Sequence, residues 1–203
     1  MSDLRLSSQL DFLVELDKLK GVLRRTMVIG ESRRENSAEH SWHLGVMAVL
    51  LSEYAPSPVD VERTLTMLLV HDVVEIDAGD TFVFDDAAMA DKDTRERQAA
   101  HRIFGLLPPD QAERLRGLWE EFEASVTPEA RFANALDRFH ALLQNAHNRG
   151  GTWKRHGVSR KQVLSRMEPI REWAPALWSY VVRTVDEVMG PASDILGAPT
   201  RSA

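Results

Sequence analysis

Apolar residues recur along this chain at helical spacing, and nowhere do they alternate for long enough to predict a strand. Leu10, Phe12, Leu13, Leu16, Leu19 and Leu23 form a face that predicts a first helix over 8–23. Residues 24–36 read as a polar loop. Asn36 followed by Glu39 reads as a capping box, opening a helix that runs to about Tyr54. Ala55-Pro-Ser-Pro58 breaks the pattern. Ser57 can cap the next helix, with Pro58 at its first position. That helix carries the apolar run Leu65-Thr-Met-Leu-Leu-Val70 and ends on His71-Asp72.

Residues 76–90 read as irregular, with Gly79 and the aromatics Phe82 and Phe84. A charged helix follows over 91–106, and Pro108-Pro109 separates it from another over 110–124. Thr127-Pro128 starts a long helix that reaches about Asn148 and stops at Gly150-Gly151. Two more helical stretches lie near 159–169 and 174–189. The pattern predicts an all-α fold, a single helical bundle of about seven to nine helices. Residues 1–190 are expected to be that domain, with 191–203, rich in Pro, Ala and Ser, as a flexible tail.

Composition narrows the chemistry. Hydrophobic residues make up 43% of 203, enough for one domain with a real core. The absence of cysteine removes disulfides, thiolate zinc sites and cysteine nucleophiles, and fits a cytoplasmic setting. Neither a secretory leader nor a membrane span is visible, so no membrane partner is expected. A net charge of −6 argues against a nucleic-acid polymer but leaves room for a small phosphorylated substrate.

His71-Asp72 closes its helix, and Glu75, Asp77 and Asp80 follow at once. Acidic groups at a helix C-terminus are unfavourable, and a divalent cation is the simplest compensation. His40, one turn into its helix, and Asp137, between apolar neighbours in mid-helix, complete a mixed set of two imidazoles and two carboxylates. Such a set suits a borderline divalent ion. On the residues alone each also fits an ordinary structural role: Asp137 can pair with Arg138 or Arg131, for example. His43 and His140 read as packing residues. The segment Gly150-Gly-Thr-Trp153-Lys-Arg-His156 reads equally as a helix stop or as a cover for a pocket.

The order His40…His71-Asp72…Asp137 resembles the H…HD…D pattern of the HD superfamily of metal-dependent phosphohydrolases. Glu39-His40-Ser41 and His71-Asp72-x-x-Glu75-x-x-x-Gly79-Asp80 are similar to the bacterial 5′-deoxynucleotidases and the HD domain-containing protein 2 family. So are Leu118-Trp-Glu-Glu-Phe122, Glu129-Ala-Arg-Phe132 and Leu136-Asp137. The resemblance covers roughly residues 8–148. It implies release of phosphate from (deoxy)nucleoside 5′-monophosphates by attack of a water bound to one divalent ion (Mn²⁺, Co²⁺, Fe²⁺, Zn²⁺ or Mg²⁺). It assigns His40, His71, Asp72 and Asp137 as ligands, with Glu75 and Asp80 as catalytic acids. Arg25, fifteen residues before His40, takes the place of a phosphate-binding arginine. Thr26 departs from the deoxynucleotidases, which carry a tryptophan there that is linked to the sugar. The family also implies a homodimer. Two other readings are a hydrolase of nucleoside polyphosphates or another phosphomonoester, and a catalytically quiet nucleotide-binding module.

Overall fold

The structure is a computed structural model that describes residues 2–190, so the expected tail lies outside the described residues. In chain order it places α1 (Ser2–Leu16), a 3₁₀ turn (Asp17–Gly21), β1 (Leu23–Met27), β2 (Arg34–Asn36), α2 (Ser37–Leu51) and α3 (Val61–Val70). Then come α4 (Glu75–Ala78), α5 (Asp86–Met89), α6 (Lys92–Phe104), α7 (Pro109–Ala124) and α8 (Pro128–His147). The last elements are α9 (Gly151–Arg155), α10 (Arg160–Trp173) and α11 (Pro175–Met189). The all-α reading holds, with short α4, α5 and α9 added where an irregular stretch or a stop was expected. No described helix is long and apolar enough to cross a membrane.

Helix α8 is the axis of the bundle. Phe132, Ala133, Leu136 and Leu142 on it are all but inaccessible, and α2, α3, α7, α10 and α11 pack around it. Its start follows from Thr127, whose hydroxyl accepts from Ala130 N at 3.2 Å, with Pro128 where no amide partner is needed. The capping box of α2 forms as expected: Asn36 Oδ1 accepts from Glu39 N at 2.9 Å, and Glu39 Oε1 from Asn36 N at 2.8 Å. At α3 the cap is Asp60, which accepts from Arg63 N at 3.0 Å, and not Ser57. The helix begins at Val61 because a carboxylate directly before the apolar run competes better for its free amides than a serine two prolines upstream. Gly45 lets α2 and α3 approach closely, since a Cβ there would lie 2.9 Å from Leu65 Cδ1.

Two expectations fail at the N-terminus. The first helix starts earlier and ends at Leu16, and the leucine face divides: Phe12 and Leu19 are buried, while Leu10 and Leu13 are exposed. The loop over 24–36 contains an antiparallel hairpin, pairing Leu23 with Asn36 and Met27 with Arg34 across an irregular register. Its charged sequence gives no alternation to read. It is held from outside: Asn148, just past α8, donates to the carbonyls of Met27 and Val28 at 3.2 and 3.0 Å and accepts from Gly30 N at 3.0 Å. Thr152 Oγ1 donates to Arg25 O at 3.2 Å.

Because Phe132 is only 1% exposed at the centre of the bundle, Phe132→Ala is expected to cost about 3–5 kcal/mol of stability. Urea denaturation should show a lower midpoint with an unchanged slope.

Candidate metal centre

His40 sits in the first turn of α2 with no exposed surface. Its Nε2 lies 3.1 Å from Asp137 Oδ1 on α8 and 3.9 Å from Asp72 Oδ2. His71 is the residue on which α3 ends, in helical conformation, so the chain can turn Asp72 toward the same point. The His40 and His71 rings are 5.5 Å apart between centroids. All four residues singled out for a metal therefore meet where α2, α3 and α8 touch. Asp137 pairs with His40 and Arg24, not with Arg138 or Arg131.

The Nδ1 of His71 lies 2.7 Å from Leu68 O, an acceptor only, so Nδ1 donates there and Nε2 is the nitrogen that faces the site. That Nε2 is buried 3.1 Å from Asp72 Oδ1, and no described group hydrogen-bonds to it. A buried nitrogen without a partner beside a carboxylate oxygen is a place where a divalent cation would satisfy both. His40, His71 and Asp72 each offer a ligand atom within 4.8 Å of the others, so these residues fit a divalent ion. Glu35, His40 and His140 make a second such trio. It shares His40, and a neutral imidazole has only one lone pair to give.

Charge explains the rest. Burial pushes Asp137 up, but the hydrogen bond from His40, that ring's charge and then Arg24 outweigh it and hold the carboxyl well below its usual range. Burial and Arg24 push His40 down, and Asp137, Glu35 and Asp72 outweigh them, raising it to about 9. Without an ion, a proton on His40 stands in for the cation. His140, packed 3.0 Å from His40 Nδ1, is held down at about 2 by burial and by His40. It continues to His43 at 3.0 Å, so these two packing histidines form one imidazole chain behind the site. Glu75 is buried and raised well above its usual range by desolvation and then by Asp72, and Ser37 Oγ donates to it at 2.6 Å. Asp80 follows Gly79, whose φ of +74 lets the chain leave α4, and burial raises it too. Asp77 turns away from the site and pairs with Arg102 near the surface.

Sequence reasoning overlooked Arg24 and Glu35. Strand alternation turns Arg24 inward and leaves Arg25 exposed, its backbone N–H donating to Asp80 Oδ2 at 3.2 Å. Arg24 lies 2.9 Å from Asp72, 3.3 Å from Glu35 and 3.8 Å from Asp137. Glu35, 2% exposed, accepts from Gln144 and lies 3.5 Å from His40 Nδ1. Only the hairpin, invisible in the pattern, could have marked either residue.

Arg24 is the one Lys or Arg side chain that pairs with these carboxylates among the described residues. In chelated protein Arg24→Ala is expected to cost about 3–5 kcal/mol at pH 7, because it leaves buried charge unpaired. Asp137 has a depressed folded pKa, so its stabilisation is present above the unfolded value and lost as pH falls through the folded one. The gap between parent and variant should therefore narrow below about pH 4 in urea titrations.

Comparison with known proteins matches this architecture. An HD domain model matches residues 16–178. The chain is 33% identical over 138 residues to a human protein named 5′-deoxynucleotidase HDDC2, covering 68% of this chain and 66% of that one. To the zebrafish (Danio rerio) protein of the same name it is 31% identical over 140 residues, 66% of this chain and 68% of that one. A crystal structure of a predicted metal-dependent phosphohydrolase from Magnetospirillum magnetotacticum superposes with a TM-score of 0.88 at 52% identity, covering 92% of this chain and 96% of that one. With the His–His–Asp–Asp meeting point at the crossing of α2, α3 and α8, and a family match over most of its length, this chain belongs to the HD domain family.

Proposed function

We propose that this protein is a metal-dependent phosphohydrolase that releases phosphate from nucleoside 5′-monophosphates. Residues 1–190 form its one catalytic domain, and it acts in the cytoplasm. His40, His71, Asp72 and Asp137 would hold one divalent ion, and the mixed nitrogen and oxygen set favours Mn²⁺, Co²⁺, Fe²⁺ or Zn²⁺ over Mg²⁺. The observation that carries the reading is the buried Nε2 of His71, without a hydrogen-bond partner and 3.1 Å from Asp72. The names of the relatives and of the superposed structure support the same chemistry.

Bound there, the ion would neutralise phosphate charge and acidify water. The chain's own residues do the rest. Glu75, held by Ser37 and made a stronger base by burial, takes the proton from the attacking water in its carboxylate form. Asp80 lines a cleft beside Arg24 and Asp137 and would meet the leaving oxygen or the 3′-hydroxyl. Arg25 and Arg24 lie on one strand beside that cleft and offer guanidinium groups to the phosphate. A phosphate dianion entering beside Asp72, Asp80 and Asp137 needs those positive groups to offset repulsion.

The second copy of a homodimer belongs to the same reading. Trp42, Val46, Val49 and Leu50 form one apolar face of α2, with Trp42 and Leu50 each 64% exposed.

Three variants test these readings. Asp72→Ala should lose stoichiometric metal by elemental analysis. Glu75→Gln should keep the metal while its kcat on monophosphates falls by about 10²–10⁴. Polyphosphate turnover without monophosphate turnover would point to a different hydrolase, and a parent protein that turns over nothing would point to a binding module. Trp42→Glu should convert a dimer to a monomer in sedimentation, with the helical circular dichroism retained.

A further inference from the structure

The cleft beside the carboxylates is lined by two chemically different sets of residues. Arg24, Asp80 and Asp137 make up one, and Phe82, Phe84 and Trp153 the other.

The aromatic residues come from two segments that pack against the bundle core, and Trp153 itself is buried there. Phe82 and Phe84 follow Asp80 directly and stay half-buried, their rings 5.4 Å apart and edge to face. The piece after Gly150-Gly151 brings Trp153 into the wall and sets the His156 ring 4.8 Å from Phe82. Segments far apart in sequence thus present rings to one cleft. Thr26 lines it as well and offers no ring, so the aromatic lining comes from Phe82, Phe84 and Trp153.

The charges point the same way. Arg25 and Arg166 both line the cleft, and neither pairs with a described carboxylate. The field of Arg166 reaches Arg138, which burial and then Arg166 hold down at about 10. Two unneutralised guanidinium groups in a chain of net charge −6 suit an anionic, π-rich ligand.

We propose that this cleft is a nucleobase subsite, in which the base of a nucleoside monophosphate lies against Phe82 and Phe84 with Arg166 beside it. The phosphate then lies beside Arg24, Asp80 and Asp137. That placement leaves the phosphate beside the four residues singled out for the metal and the base against the faces of Phe82 and Phe84, which offer a dianion no hydrogen bond. The inference rests on the phosphomonoesterase reading above and adds to it what reads the base.

The test compares a deoxynucleoside 5′-monophosphate with ribose 5-phosphate, which keeps phosphate and sugar but has no base. Phe82→Ala should lower kcat/KM on the nucleotide about ten-fold and leave ribose 5-phosphate unchanged. Phe82→Leu keeps apolar bulk for folding and removes the ring, and it should give the same selective loss. Calorimetry on chelated protein should show a plain nucleoside binding more weakly to both variants than to the parent. Equal losses on both substrates, or none on the nucleotide, overturn the subsite. A parent that cleaves ribose 5-phosphate as efficiently as nucleotides overturns it while the hydrolase reading stands. A parent that cleaves neither sinks the hydrolase reading and the subsite with it.

Discussion

Four carboxylates, those of Glu35, Asp72, Glu75 and Asp137, are gathered into a few ångströms of largely water-free protein, and everything around them is arranged to make that tolerable. Arg24 is the permanent positive charge among them, and His40 carries a second when protonated. Ser37 gives Glu75 a donor, and Gln144 gives Glu35 another. These partners leave His71 Nε2 buried 3.1 Å from Asp72 Oδ1 with no hydrogen bond to a described group. The demand for a divalent cation is written into that remainder, since buried like charges this close require opposite charge to persist.

The fold can be understood as the scaffold this cluster requires. Three helices deliver the donors: α2 at its first turn, α3 at its last residue and α8 at its middle. Their approach is set by apolar contacts such as Leu44, Leu68 and Leu136, all without exposed surface, and by Gly45 where α2 meets α3. The hairpin adds what helices could not. A strand presents neighbouring side chains to opposite faces, so one arginine enters the cluster while the next stays at the cleft mouth. Asn148 and Thr152, past the end of the central helix, hold the hairpin in place, so packing at the α8 end and charge balance at the site are linked.

The legible parts of the site were those with local causes. Asn36 and Glu39 are three residues apart, and their reciprocal cap forms as read, which fixes where His40 falls in α2. His71-Asp72 stands at the end of an apolar run, and α3 does end there. The hairpin could not be read from charged residues whose strand conformation is imposed by Asn148 and Thr152 from more than a hundred positions away. Arg24 and Glu35 were therefore passed over, and Arg25 was favoured on spacing alone. The leucine face of α1 shows the opposite failure: its periodicity is real, but half of it is left outside the bundle.

By itself the sequence determined the all-α class, the helix starts set by local caps at α2 and α8, and the order of the imidazoles and carboxylates. These rest on periodicity and on hydrogen bonds between residues a few positions apart, which the chain carries wherever it folds. Tertiary structure alone decided that His40 meets Asp137 across two helices, that Arg24 rather than its neighbour faces the acids, and that Phe82 shares a wall with Trp153. It decided also that His71 Nε2 lies buried beside Asp72 without a hydrogen-bond partner. Each of those facts depends on distance between remote segments, on burial and on the charge that burial leaves uncompensated, and none of the three exists until the helices pack.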